Sequence, residues 1–269
     1  VDTFLLIAPE AIQMSLNTRG PKCFGETNGT ISITALSGGE APYSITINGQ
    51  PALIGPLPAL YGPLAPGDYN FVVTDINGCE LAKTTVVPMP PALTLDLGPD
   101  VTINLGDNVP ITLLTNATVL DSISWSPKSY LSSPDSTFTW AMPPETQTYK
   151  VVIQDSLGCR AEDEITISVR TEKRVYVPNI IRPESSLFND YLTVYGGVEV
   201  AKVRSLRIYD RWGTLIFENR NFVPGEPTLG WNGRSKGSDV NPGVFIYVAE
   251  VEFLNGSWEV FSGDVTVVR

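Results

Sequence analysis

The chain of 269 residues contains no histidine. That removes imidazole metal ligands, Ser-His-Asp and Cys-His nucleophile systems, and the usual side chain that titrates near neutral pH. Carboxylates are plentiful, at 29 Asp and Glu against 18 Lys and Arg. None of them comes with a cleft, a nucleophile or a base that the sequence identifies. No Gly-rich phosphate loop leads into a helix. Asp75-Ile76-Asn77-Gly78 has the beginning of a calcium loop but lacks the remaining ligands and the bidentate Glu. Trp125, Trp140, Trp212, Trp231 and Trp258 have the chemistry of a sugar platform, although such residues in small sandwiches mostly pack the core or its edge. The expectation is a non-enzymatic chain with no catalytic residue, no cofactor and no metal site.

Charge narrows the partners. The net charge is −11, with 3 basic and 7 acidic groups over 1–88, 4 and 10 over 89–170, and 11 and 12 over 171–269. The first two stretches repel phosphate backbones, which argues against nucleic acid. The last is nearly neutral and holds most of the cations, with Lys202, Arg207, Arg211 and Arg220 as candidates for a basic face. No apolar run approaches the length of a transmembrane helix. Val1-Asp2-Thr3-Phe4-Leu5-Leu6-Ile7 begins in mid-strand, so residues 1–8 are expected to be the last strand of an upstream module.

The elements that must carry these residues are short strands. Tyr69–Cys79 matches Tyr149–Cys159 at an offset of 80, and Pro9–Leu16 echoes Pro90–Leu97 at an offset of 81. Two matches at nearly one period indicate a tandem array of small domains. Strand patterns fall at Gly29–Leu36, Tyr43–Asn48, Gly67–Thr74 and Leu81–Val87 in the first module. In the second they fall at Val109–Leu114, Ser122–Trp125, Ser136–Ala141, Tyr149–Gln154 and Ile165–Val169. Such spacing, with Gly and Pro at the turns, predicts all-β architecture, here three tandem immunoglobulin-like β-sandwich domains at 9–88, 89–170 and 171–269. Pro88-Met89-Pro90-Pro91 reads as a short, stiff joint. In the third domain, alternating runs flank Asp210-Arg211-Trp212-Gly213, and two longer ones flank Asn255-Gly256. Both are hairpin signals.

Three cysteines permit one bond and leave one thiol over. Cys23 precedes the first strand pattern and Cys79 follows the penultimate segment of the same module, so a Cys23–Cys79 disulfide at one end of a sandwich is expected; the alternative is two reduced thiols. Sparse, paired cysteines without histidine fit an extracytoplasmic location.

These motifs also carry resemblances. Cys23-Phe24-Gly25-Glu26-Thr27-Asn28-Gly29, Gly38-Gly39, Ala41-Pro42-Tyr43, Pro66-Gly67-Asp68-Tyr69 and Thr74–Cys79 resemble the SprB-type repeat of large secreted surface adhesins of Bacteroidota. Leu97-Gly98-Pro99-Asp100, Asn104-Leu105-Gly106-Asp107, Trp125-Ser126-Pro127 and Leu157-Gly158-Cys159 resemble the immunoglobulin-like module of such proteins. In that module a cysteine commonly stands where this chain has Asn104, which the resemblance offers as the reason Cys159 is unpaired.

Residues 174–269 resemble the type B C-terminal sorting domain of the type IX secretion system, the gliding-motility-associated C-terminal domain. The signature residues are Pro178, Asn179, Asn189, Asp190, Tyr209, Asp210, Arg211, Trp212, Gly213, Trp231, Gly233, Gly243, Gly263, Asp264 and Arg269. The family's usual glycine-rich acidic loop is here Pro183-Glu184-Ser185-Ser186-Leu187-Phe188, so any cation site it forms elsewhere is not expected.

The resemblance implies a secreted, surface-exposed protein anchored at the outer membrane. Its last domain is the secretion and retention signal and the preceding domains are its stalk. It further implies an outer-membrane PorP/SprF-family β-barrel and the type IX translocon as partners. Alternative roles are polysaccharide binding by the sandwiches, or lateral packing with other copies of the chain in a filament. Asp121-Ser122-Ile123, Asp135-Ser136-Thr137 and Asp155-Ser156-Leu157 also fit the short O-glycosylation pattern of that phylum.

Overall fold

The structure is a computed structural model and describes residues 10–184 and 189–268. The expected upstream strand at 1–8, residues 185–188 of the Pro183–Phe188 loop, and Arg269 lie outside the described residues. Among the described residues the chain is all-β; its one helical turn is the 3-10 segment Pro227–Leu229. No helix there is long and apolar enough to cross a membrane. Two compact units partition the chain. One comprises Val1–Asp96, Leu114–Ile123 and Val152–Glu162; the other comprises Leu97–Leu113, Ser124–Val151 and Asp163–Arg269.

The first strands are β1 (Gln13–Arg19), β2 (Gly29–Ser37), β3 (Ser44–Ile47), β4 (Gln50–Ala52), β5 (Ala59–Leu64), β6 (Gly67–Thr74) and β7 (Glu80–Val87). They form a three-stranded sheet, β1-β2-β5, and a four-stranded sheet, β4-β3-β6-β7. Alternation puts Ile31 and Ile33 of β2 and Phe71 and Val73 of β6 inward, where they join Met14, Ile45 and Val87 in one core. The β3–β4 turn is Asn48-Gly49, both at positive φ (50° and 78°), the backbone that a two-residue hairpin of this hand requires. β1 and β5 are strands that the sequence pattern did not announce. β5 carries Gly62 and Pro63, and β1 is interrupted by a register shift after Ser15.

Next come β8 (Leu95–Asp96), β9 (Val101–Asn104), β10 (Val109–Thr112), β11 (Leu114–Thr115), β12 (Leu120–Ser126), β13 (Phe138–Ala141), β14 (Gln147–Asp155) and β15 (Arg160–Arg170). The sheets are β12-β14-β15-β9, β10-β13 and β8-β11, with β9 parallel to β15. Trp125 is buried with its indole N–H donating to the Ser136 carbonyl at 3.3 Å. Tyr149 is buried with its hydroxyl donating to the Ser129 carbonyl at 3.1 Å, and burial pushes that phenol up to about 12.

The cysteine pairing differs from expectation. Cys23 is bonded to Cys159, 136 residues away, and Cys79 is a free, exposed thiol. The reason lies in the strand register. Thr74 pairs with Glu80 at one end of the β6–β7 hairpin, and Gly67 with Val87 at the other. Cys79 lies at the first end, where the Asp75 carboxylate accepts the Glu40 N–H. The loop carrying Cys23 lies at the second, where Gly20 abuts the Pro88 carbonyl. Eight strand residues separate the two ends by roughly 25 Å, against the few ångströms a disulfide spans. Cys159 sits at the β14–β15 tip, within the same compact unit as Cys23.

The remaining strands are β16 (Val175–Tyr176), β17 (Ile180–Ile181), β18 (Tyr195–Gly196), β19 (Val200–Tyr209), β20 (Leu215–Phe222), β21 (Arg234–Ser235), β22 (Ser238–Asp239), β23 (Gly243–Phe253) and β24 (Trp258–Val267). A five-stranded sheet, β17-β24-β23-β19-β20, faces β16-β18 and the Leu192–Trp231 bridge across a core that contains Ile181, Val203, Leu206, Ile208, Trp231 and Val251. Pro178 lies between β16 and β17 and ends the short pairing with β18 before the chain joins β24 in parallel. The β23–β24 hairpin expected around Asn255-Gly256 is present, with unbroken register from Gly243–Val267 to Glu252–Trp258.

Candidate functional site: the hairpin tips and the outer face of the last sheet

One loop geometry occurs three times. At Asp75–Cys79, Asp155–Cys159 and Asp210–Thr214 the first residue's N–H donates to the fifth residue's carbonyl at 3.0 Å in each. The glycine at position four donates back to the first carbonyl at 3.0 to 3.1 Å. The aspartate Oδ1 then accepts the N–H groups of positions three and five, at 2.9 and 2.8 Å for Asp75, 2.9 and 2.9 Å for Asp155, and 2.8 and 2.9 Å for Asp210. The glycines have φ of 83°, 91° and 81°, the left-handed region where glycine is favoured. Phe253–Ser257 repeats the backbone pattern with Phe253 in the first position and Asn255 supplying the side-chain acceptor. Only the first two copies stand out at the 80-residue offset. The third is legible as Asp-x-x-Gly once the spacing, not the neighbouring sequence, is compared.

These bonds fix the aspartates electrostatically. The Thr214 N–H, then that of Trp212, holds the Asp210 carboxyl below the usual carboxylate range. The Cys79 N–H does the same most strongly for Asp75, with help from those of Glu40 and Asn77. A carboxylate whose oxygens accept backbone N–H groups is committed to the turn. Asp75–Gly78 is accordingly a closed turn, and the described residues contain no cluster of three or more metal-ligating side chains.

The third side chain of the tip is exposed at Leu157 and Trp212, whereas the Asn77 amide donates to the Glu40 carboxylate at 3.0 Å. Trp212 is 84% exposed. Beside it runs a groove of ≈ 240 Å³ lined by Asp210, Arg211, Trp212, Ile216 and the stretch Val240–Phe245. The adjoining outer corner of the five-stranded sheet is apolar, with Leu215, Val244 and Ile246 exposed and Tyr209 paired between Leu215 and Ile246. Away from this corner the same face is a charge lattice. Arg207 contacts Glu218 at 3.0 Å and Glu250 at 3.2 Å, Arg220 contacts Glu218 at 2.8 Å, and Lys202 contacts Glu252 at 3.4 Å. The bond to Glu218 is the main reason the Arg207 guanidinium is raised further. Three of the four cations expected to form a basic face are therefore neutralised by neighbours. Arg211, at the tip, has no ion pair among the described residues.

The other signature residues build this surface from below. Trp231 is fully buried, donates its indole N–H to the Arg234 carbonyl at 2.8 Å and packs edge-on against Phe245 at 5.0 Å. Gly233 (φ 73°) brings the backbone against Pro183. Asn179 accepts the Thr266 N–H at 2.9 Å, and Asn189 accepts that of Arg182 at 2.8 Å. Asp190 shares a polar hollow with Pro183, Glu184, Tyr191, Asn232 and Arg234. Gly243 pairs with Val267 at the start of β23, and the Tyr247 ring lies over Gly263, 2.9 Å from where a Cβ would stand. Burial, then the nearby Asp264, raises the Tyr247 phenol. Of the five tryptophans, Trp125 and Trp231 are core, while Trp140, Trp212 and Trp258 are exposed on different strands or loops.

No curated protein matches the chain. Solved structures with similar arrangements include the I-band fragment I67-I69 from titin (11% identity, TM-score 0.39, covering 98% of this chain and 100% of that one). A tetra-tandem repeat from the extending region of a large adhesion protein also matches (15%, 0.33, 97% and 74%). So does a structure concerned with host cell surface retention of a 1.5-MDa bacterial ice-binding adhesin (13%, 0.34, 97% and 98%). Among family models, the SprB repeat matches residues 16–51 and the CHU_C Type IX secretion signal domain matches residues 175–267. The all-β chain is thus similar to an SprB repeat over residues 16–51 and, across the strands from β16 to β24, to a type IX secretion signal domain.

Proposed function

We propose that this chain is the export-addressed part of a large secreted surface protein of adhesin type. Residues 171–269 are its secretion and surface-retention module, and the sandwiches at 9–88 and 89–170 are its stalk. The observation that carries the reading is the Trp212 tip. An indole 84% exposed stands on a loop closed by its own aspartate, beside a groove and an apolar corner of the sheet, inside the segment that matches a type IX secretion signal domain. A large exposed aromatic on a pre-organised turn is the kind of anchor that interfaces use, because little conformational freedom is lost when it docks. The partner in this reading is an outer-membrane PorP/SprF-family β-barrel acting with the translocon, and anchoring at the outer membrane follows from that contact. Neither matched family is an enzyme family by its description.

The test is a reporter fused to residues 171–269, produced in cells with and without the barrel protein. Export in its presence alone is expected. Export of the reporter without residues 171–269, or equal export without the barrel, would sink the proposal.

A second reading has one observation in its favour. Phe138 and Trp140 are exposed side by side on β13, edge to face at 5.8 Å, in the manner of a sugar-stacking surface. A glycan array probed with the chain and with Trp140→Ala separates this reading from the first, since a stalk role leaves both proteins without signal.

A further inference from the structure

The Cys23–Cys159 bond changes which residues a pull on the chain can reach. Cys23 lies four residues after the end of β1, and Cys159 immediately precedes the start of β15. The crosslink closes residues 24–158 into a covalent loop that holds every strand from β2 to β14. Tension entering at β1 therefore has a shorter way out. It runs along Gln13–Arg19 and through residues 20–23, crosses the two sulfur atoms, and leaves along Arg160–Arg170. That route has little length to give. Most of it is β1 and β15, and a strand already rises about 3.3 Å per residue against about 3.6 Å at full extension. Neighbours of both strands lie inside the loop: β2 pairs with β1 from Gln13–Ser37 to Arg19–Thr30, and β9 with β15 from Ile167–Val101 to Arg170–Asn104. A strand pulled at its own two ends carries the tension in its covalent backbone. Neighbours anchored to nothing that moves are not sheared away from it. The bond is also sheltered from solvent, with Cys159 buried and Cys23 half-buried. Without it, the same pull passes through each strand from β2 to β14 in turn. Unravelling them frees the 136 residue steps between the cysteines, about 470 Å of chain, where the bonded Cα atoms are 5.4 Å apart.

We propose that the Cys23–Cys159 bond is a tension-bearing strap. It takes β2 to β14 out of the path of force and makes residues 13–170 a nearly inextensible section for as long as it is closed. The role in the cell rests on the stalk reading above, because a stalk is the part of a surface protein that is pulled. Opening the strap takes a dithiol reductant. One reductant thiolate forms a mixed disulfide with one cysteine and releases the other. Its second thiolate then closes the reductant's own disulfide and releases the first cysteine. The chain gains two thiols, two electrons and two protons, all supplied by the reductant. Reduction thus changes how far the section can be drawn out, and not only how stable it is.

The test holds the 269-residue chain by cysteine-free handles at its two ends and pulls it in optical tweezers. The oxidised chain is expected to release about 470 Å less than the same chain pulled in dithiothreitol. Held oxidised at a force that unfolds the reduced chain, it should yield that length once dithiothreitol is added. Cys79→Ser should behave as the parent does, and Cys159→Ser should release the full length with or without dithiothreitol. The two parental traces decide the matter even where a variant fails to fold. Equal release by the parent in both conditions overturns the proposal. So does a shortfall of about 190 Å, the mark of a Cys23–Cys79 bond, or of about 280 Å, the mark of a Cys79–Cys159 bond. The stalk reading fails separately, through a glycan-array signal that Trp140→Ala abolishes, and that result leaves the measured lengths unchanged.

Discussion

Two tryptophans of the β16–β24 segment, Trp231 and Trp212, separate folding from the proposed recognition, and substituting each by alanine measures the two. Trp231 is fully buried, edge-on to Phe245, with its indole N–H on the Arg234 carbonyl and its own backbone bridged to Leu192 in both directions. Removing a buried tryptophan costs about 4 kcal/mol in lost packing and cavity formation. The unpaired Arg234 carbonyl adds about 1 kcal/mol. Against a domain stability of about 5 to 15 kcal/mol, Trp231→Ala should leave this domain close to unfolding. Trp212 is 84% exposed on a loop whose hydrogen bonds come from Asp210 and Gly213, not from the indole. Trp212→Ala should change stability by no more than about 0.5 kcal/mol. Hydrogen exchange of peptides from β19 and β23 in increasing urea reads the stability of this domain separately from the others. The reporter fusion reads export. Trp231→Ala is expected to lose protection and export together, and Trp212→Ala to keep protection and lose export. A Trp212→Ala fusion exported at the parental level refutes contact through the tip. A Trp231→Ala domain with unchanged protection refutes the packing account.

Other consequences are open to measurement. Cys159→Ser, or reduction, releases a loop closed by cysteines 136 residues apart, worth about 5 kcal/mol in the chain-entropy treatment; thermal unfolding with and without reductant should show the loss in the parent and none in the variant. Asp75 and Asp210 have folded-state pKa values below their ordinary ones. Their stabilising contribution is therefore present above the ordinary carboxylate pKa of about 4 and is lost as pH falls through the lower folded value. Amide exchange at Cys79 and Thr214, corrected for intrinsic rates, should accelerate in that acid window and stay flat in Asp75→Asn and Asp210→Asn, respectively. A Cβ at Gly230 would stand 2.3 Å from the Leu192 carbonyl oxygen, whereas at Gly25 it would meet nothing within 4 Å. Gly230→Ala should cost more than about 2 kcal/mol and Gly25→Ala only about 1 kcal/mol, the latter for its positive φ alone, by urea titration.

How far the sequence reached depended on the range of the interaction. Local signals held: Asn255-Gly256 makes the β23–β24 turn, and the alternation of Gly67–Thr74 is β6 residue for residue. The tandem 80-residue offset corresponds to two tips with the same hydrogen bonds. Strands whose pattern is broken were harder to read. β5 carries Gly62 and Pro63, and β1 shifts register at Ser15–Leu16, so neither shows clean alternation. Arg207 and Arg220 looked like a basic face because their acidic neighbours Glu218 and Glu250 come from other positions in the chain or from another strand. The disulfide failed for a similar reason. Proximity in sequence put Cys23 and Cys79 in one module, but antiparallel register sends them to opposite ends of it.

The pairing of β17 with β24 has a temporal meaning. Ile180 sits beside Thr266, and β24 also forms the whole outer partner of β23. The five-stranded sheet therefore closes only when a strand made late in the domain meets one made early, a long-range contact of the kind that slows folding. A polypeptide emerging amino end first presents Ile180–Ile181 and then Gly243–Phe253 with open edges until β24 arrives. A product cut short before Trp258 lacks that strand and cannot complete the sheet. Under the export role proposed above, the chain becomes legible to its machinery only after β24 has been made and the sheet has closed.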